Sequence, residues 1–170
     1  SDINNKRYTT FIESDSKIIN DKSIFTGIIS NLTKQSGGNV AKNGTIFVTS
    51  SSEYSSDYSA QNVVDLDSSS MFRSSNERNQ WLMYDFRFLR IKPTSYYIKS
   101  GIYGKYEYHP RSWDLEGSNN GKEWDVLDSR RNDGSLNGVS STGKFDISSS
   151  YKYYKYLRII QRGKNTGNDD

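Results

Sequence analysis

HPRSWDLEGSNNGKEWDVLDSR, residues 109–130, sets two tryptophans on either side of a Gly-Ser-Asn-Asn-Gly run. Whether Trp113 and Trp124 line a core or face a ligand decides how the stretch folds. Asn120-Gly121 is a strong hairpin signal, because a tight primed turn needs positive φ. Upstream, Trp113, Leu115 and Gly117 share one face by period two, and downstream Trp124 and Val126 do the same. This alternation predicts paired strands with both indoles pointing into a sandwich.

The chain around the hairpin reads the same way. Short runs at 45–50, 61–66, 81–86, 94–100, 112–117, 123–129, 144–148 and 153–161 carry strand patterns, with Gly, Ser, Asn and Asp between them. Pro93 and Pro110 fall at or just before strand starts, where a missing N–H is tolerated. The expected class is therefore all-β, an antiparallel sandwich or barrel. Ahead of it, Ile24, Phe25, Ile28, Ile29 and Leu32 repeat at helical spacing, and Gly37-Gly38 would stop the helix. The organisation read from the sequence is a linker or tail of a preceding module over 1–22, a docking helix over 23–38 and the β domain over 39–170.

Composition narrows the function classes. The 170 residues suit one domain with an extension. With 23 basic and 20 acidic residues intermixed, no basic stripe argues for nucleic acid. No apolar run approaches a membrane span. The absence of cysteine excludes disulfides and thiolate metal sites and leaves the compartment open. His109 is the only histidine, so a multi-His metal site is excluded and no nucleophile-elbow motif supports a triad. Carboxylate pairs such as Asp65/Asp67 show no local feature that would desolvate one member. These readings point away from an enzyme.

Residues 109–124, from His109-Pro110-Arg111-Ser112-Trp113 through Glu116-Gly117-Ser118-Asn119-Asn120-Gly121 to Trp124, resemble the signature hairpin of the discoidin family, the coagulation factor 5/8 type C domains. Three further segments resemble that family in the same order. They are Asn62 to Phe72, the strand Asn79-Gln80-Trp81-Leu82-Met83-Tyr84-Asp85-Phe86, and Tyr156-Leu157-Arg158-Ile159. Departures are Leu66 in place of Gly, with Ser70 and Phe72 in place of Thr and Trp. The family pattern continues beyond residue 170 into a final strand, so that strand or another segment is expected to complete the sheet. The helical lead over 24–40 resembles a protist multi-domain subgroup, which favours a cytoplasmic adaptor.

The resemblance implies a galactose-binding-like jelly roll, two antiparallel sheets face to face with ligand loops at one end. Those loops would be 51–60, 68–78 and 101–111. The implied ligand-binding residues are Tyr54, Tyr58, Arg73, Tyr103, Tyr106, Tyr108, His109 and Arg111. Tyrosine rings offer flat apolar faces with a hydroxyl, and Arg and His donate to hydroxyls or carboxylates. Asp65, Asp67 and Ser70 resemble a loop that holds structural calcium in some members, and the alternative is an Asx-type turn. No other cofactor is implied. Met71 and Ile102 are the only plausible apolar spikes, too little for stable lipid insertion. The expected function is a non-catalytic recognition module for a protein partner or carbohydrate. A structural or assembly domain of a larger protein is the alternative, and a hydrolase the remote one.

Overall fold

The computed structural model describes residues 6–13, 28–64, 72–100, 110–137, 141–147 and 152–164. Eight strands and one α-helix follow in the order β1 (Lys6–Glu13), α1 (Ile28–Ser36), β2 (Phe47–Ser50), β3 (Trp81–Asp85), β4 (Pro93–Ser100), β5 (Trp113–Ser118), β6 (Asp125–Arg130), β7 (Thr142–Asp146) and β8 (Tyr156–Gln161). They form a three-stranded sheet, β1-β4-β7, and a five-stranded sheet, β2-β3-β8-β5-β6. Every strand pairing in the two sheets is antiparallel. One core lies between the sheets. Tyr96, Ile98 and Phe145 of the smaller sheet meet Leu82, Tyr84, Trp113, Leu115, Leu157 and Ile159 of the larger.

Trp113 is fully buried and meets Phe145 edge-on, with ring centroids 5.0 Å apart. This is the interior position that the alternation predicts. Trp124 is different. It is half-buried on the outer face of the larger sheet, with the Arg158 guanidinium 3.9 Å from its ring and Tyr156 beside it. The cause is a bulge: Leu115 pairs with Asp128 and Glu116 with Val126, so Leu127 is an extra residue. Leu127 takes the core place, while Val126 is 53% exposed on the face that Trp124 covers. Trp124 and Val126 do share a face, but it is the outer one.

The hairpin loop is also wider than a two-residue turn. Gly121 takes φ +72°, whereas Asn120 is not left-handed. Asn120 Oδ1 instead accepts from the N–H groups of Lys122 and Glu123, at 2.8 and 2.9 Å. Residues 61–66 form no strand in their described part. Ala60–Val63 is a turn of 3₁₀ helix, with Ser59 accepting from Gln61 N, and it buries Val63 and Val64. A pair of adjacent valines in a short segment suits a plug as well as a strand.

At the N-terminus, Lys6–Glu13 pairs with β4 along the edge opposite β7. The sequence reading has a linker there. The run TTFI is rich in β-branched and aromatic residues, and β4 offers an edge that it can cover. A segment from the start of the chain thus flanks β4. Helix α1 lies against β1 and buries Ile29 and Leu32. It ends where Gly37, at φ +78°, donates its N–H to Thr33 O at 3.1 Å.

Candidate functional site

The antiparallel register brings β2, β8 and β6 to an end where β3 and β5 begin. Segments 51–59, 72–80, 110–112, 131–137 and 162–164 therefore gather at this one end of the larger sheet.

Two of these segments are sewn together by Gln80. Its side-chain oxygen accepts from Ser51 Oγ at 2.8 Å and from Ser52 Oγ. Ser52 Oγ in turn accepts from Ser75 N, and Gln80 O accepts from Gln161 N, both at 2.9 Å. Gln80 is buried, so these bonds satisfy groups that could not reach water.

On this base sit three of the residues expected to bind ligand. Tyr54 N donates to Arg73 O at 2.8 Å, and Arg73 N donates to Tyr58 O at 3.3 Å. The Arg73 guanidinium lies 4.2 Å from the centre of the Tyr54 ring. Tyr58 meets that ring edge-on, centroids 5.9 Å apart. Tyr54 is 58% exposed, so a large part of a ring already flanked by a cation and a second ring is open to solvent. Such a ring can stack on a flat partner while Arg73 donates hydrogen bonds beside it.

Arg111 stands at the foot of β5. Its carbonyl accepts from Asp133 N at 2.8 Å, and its Nε is buried with no hydrogen-bond partner among the described residues. The structure places it at the same end as Tyr54, Tyr58 and Arg73. Tyr103, Tyr106, Tyr108 and His109 lie outside the described residues, as do Asp65, Asp67 and Ser70 of the possible calcium loop.

The sequence reading missed a second feature of this end. A cleft of about 200 Å³ is lined by Arg78, Asn79, Gln161, Arg162, Gly163 and Lys164. One signal for it was available. Gln161 falls in phase with the buried Leu157 and Ile159, a polar residue where the alternation asks for an apolar one.

The sheet order, the loops at one end and the buried Trp113 allow comparison with known structures. No family model and no curated sequence matches the chain. Solved structures do. A CBM32 module of Clostridium perfringens, CpGH89CBM32-5, in complex with GalNAc-β-1,3-galactose, is similar at TM-score 0.59 and 11% identity, over 74% of this chain and 89% of its own. An F5/8 type C domain from Bacteroides fragilis is similar at TM-score 0.57 and 18% identity, over 75% and 85%. This chain has the F5/8 type C fold. The CBM62 module of Clostridium thermocellum Xyl5A is similar at TM-score 0.54 and 20% identity, over 74% and 88%. Within the F5/8 type C fold of this chain, Phe72 fills its place with a fully buried ring.

Proposed function

We propose that this domain is a non-catalytic recognition module that binds a glycan through the loops gathered at the end of the larger sheet. The observation that carries the reading is the Tyr54 ring, backed by Arg73 and Tyr58 and left open to solvent. A pyranose ring presents an apolar C–H face and a rim of hydroxyls. Tyr54 supplies the complementary flat surface, and Arg73 the donors at its edge. Gln80 and its serine partners hold both segments, which lowers the entropy lost when a ligand docks. The glycan ligand named for the similar CBM32 module supports the same class.

The test is a glycan array probed at neutral pH with the wild-type domain and with Tyr54→Ala, each with and without calcium. Binding that Tyr54→Ala weakens at unchanged thermal stability supports the reading. Silence of the wild-type domain in both conditions removes it. A signal that needs calcium would assign the ion a role in binding, and Asp65→Asn would then test the loop as its site.

The assembly alternative rests on a different surface. Phe88 is 88% exposed in the turn between β3 and β4, with Leu89 and Phe47 also exposed. The Arg87 side chain stacks between the two phenylalanine rings, 4.5 Å from Phe47 and 5.0 Å from Phe88. Apolar side chains held out to water in this way mark contact surfaces. If Phe88→Ser abolishes self-association while array binding persists, the domain serves both roles.

A further inference from the structure

The cleft between the Arg78-Asn79 corner and the segment 161–164 has features that the Tyr54 rim lacks. We propose that it is a subsite for one acidic sugar residue, a pyranose that carries a carboxylate. The proposal rests on the glycan reading above and names the chemical class of one unit of the ligand.

Gln161 is the first support. It lines the cleft, is 2% exposed, and its Oε1 is buried without a hydrogen-bond partner among the described residues. Its Nε2 donates to Gly163 O at 2.8 Å, and that glycine also lines the cleft. The carbonyl fixes the amide orientation, because a flip would set two oxygens against each other. An unmet acceptor thus remains on a residue that lines the cleft, and a sugar hydroxyl is a donor that suits it. A buried acceptor without a partner is costly, so a ligand that supplies one gains correspondingly.

Charge is the second support. Arg78, Arg162 and Lys164 line the cleft, and among the described residues no acidic side chain does. Arg162 is tied behind it to Asp114 at 3.0 Å and to Glu116 at 3.2 Å. Those two carboxylates also serve Arg131 at 2.9 Å and Arg158 at 3.3 Å. Three guanidinium groups thus share two carboxylates behind the cleft, and Arg78 and Lys164 add positive charge at it. Lys164 is exposed at the mouth. A carboxylate would complement these cations, which a neutral sugar cannot do.

Size is the third. Drug-sized ligands take pockets of roughly 300–1,000 Å³, and a cleft of about 200 Å³ suits a single ring. Asn79 closes one wall in a left-handed conformation, φ +55°, which asparagine tolerates better than most residues.

The test uses titration calorimetry with short oligosaccharides of a uronic acid and with the same chains after carboxyl reduction. The probes then differ only in charge. The domain is compared as wild type, as Tyr54→Ala and as the double variant Arg78→Gln/Lys164→Gln, which changes only exposed side chains. The expected result is a preference of about tenfold for the acidic chain. It should shrink with added salt and vanish in the double variant, while that variant keeps its binding of the reduced chain. Equal affinity for both chains, or a preference that survives the double substitution, overturns the subsite but leaves the glycan reading in place. Binding of neither chain by the wild type overturns both.

Discussion

The indole nitrogen of Trp113 donates to the phenol oxygen of Tyr96 at 2.8 Å, a hydrogen bond that crosses between the two sheets. The Tyr96 hydroxyl in turn donates to Asp128 Oδ2 at 2.6 Å, and Arg130 holds that same oxygen at 2.9 Å. Burial, then the hydrogen bond to Asp128, push the Tyr96 phenol far above its ordinary pKa, so it stays a donor. Tyr96→Phe removes the relay and strands the Trp113 N–H in the core. The expected loss is about 1–3 kcal/mol in urea unfolding. Glycan binding should persist, because the site lies in the loops. A variant as stable as the wild type would show that this relay contributes nothing.

Gly117 is fixed by its neighbour Tyr154. A Cβ at position 117 would stand 2.7 Å from the Tyr154 ring, closer than carbon atoms approach. The ring is buried and its hydroxyl donates to Asp125 at 2.8 Å, so it cannot easily swing away. Gly117→Ala should destabilise by about 1–3 kcal/mol, the usual cost of overpacking. Burial, with the Asp125 hydrogen bond adding to it, pushes the Tyr154 phenol up to about 12. Ultraviolet titration of the wild type should show this late phenol, and Tyr154→Phe should remove it. The raised value means that stability is full below the ordinary value of 10.0 and falls as pH rises toward 12.

Acid should act through the outer face. Burial raises the pKa of Asp114, but hydrogen bonds from Arg131, Ser129 and Arg162 outweigh it and leave the carboxyl below its ordinary value. A depressed carboxyl contributes stability that is complete above its unfolded value of 3.8 and is lost as pH falls through the folded value. Asp114→Asn should therefore be less stable than wild type at pH 7. Thermal unfolding should show the difference narrow as pH drops below 3.8. A constant difference across that range would mean that the Asp114 charge is not the source of the stability.

Period-two alternation was sufficient to find β3, β5 and β8 and to put Trp113, Leu115, Leu157 and Ile159 inside. It failed at Trp124 because a bulge changes phase without any mark in the local sequence. Leu127 could occupy either face until its pairing partners are known. It failed at Ala60–Val63 because a short segment with few apolar residues buries them equally well as a turn. The part played by Lys6–Glu13 was hidden for another reason. Its pairing depends on an edge of β4 eighty or more residues away, and local pattern carries no such information. At the site, the resemblance pointed to Tyr54, Tyr58 and Arg73, which the structure brings together. The cleft joins residues ahead of β3 to residues after β8, so only the sheet order assembles it.

The Tyr54–Arg73 stack should act as one unit in recognition. Its 4.2 Å separation holds the ring in one orientation and the guanidinium beside it. An exposed cation–π contact is worth about 0.5–1 kcal/mol. Tyr54→Ala should weaken glycan binding by tenfold or so, the consequence of about 1.4 kcal/mol. Arg73→Ala removes both a donor and the brace behind the ring, and should weaken binding by a similar factor. The double variant should then lose less than the product of the two, because each single change already disables the shared surface. Calorimetry on the four proteins measures this coupling directly. If the effects simply multiply, the two residues bind independently and the stack has no role in presenting the ring.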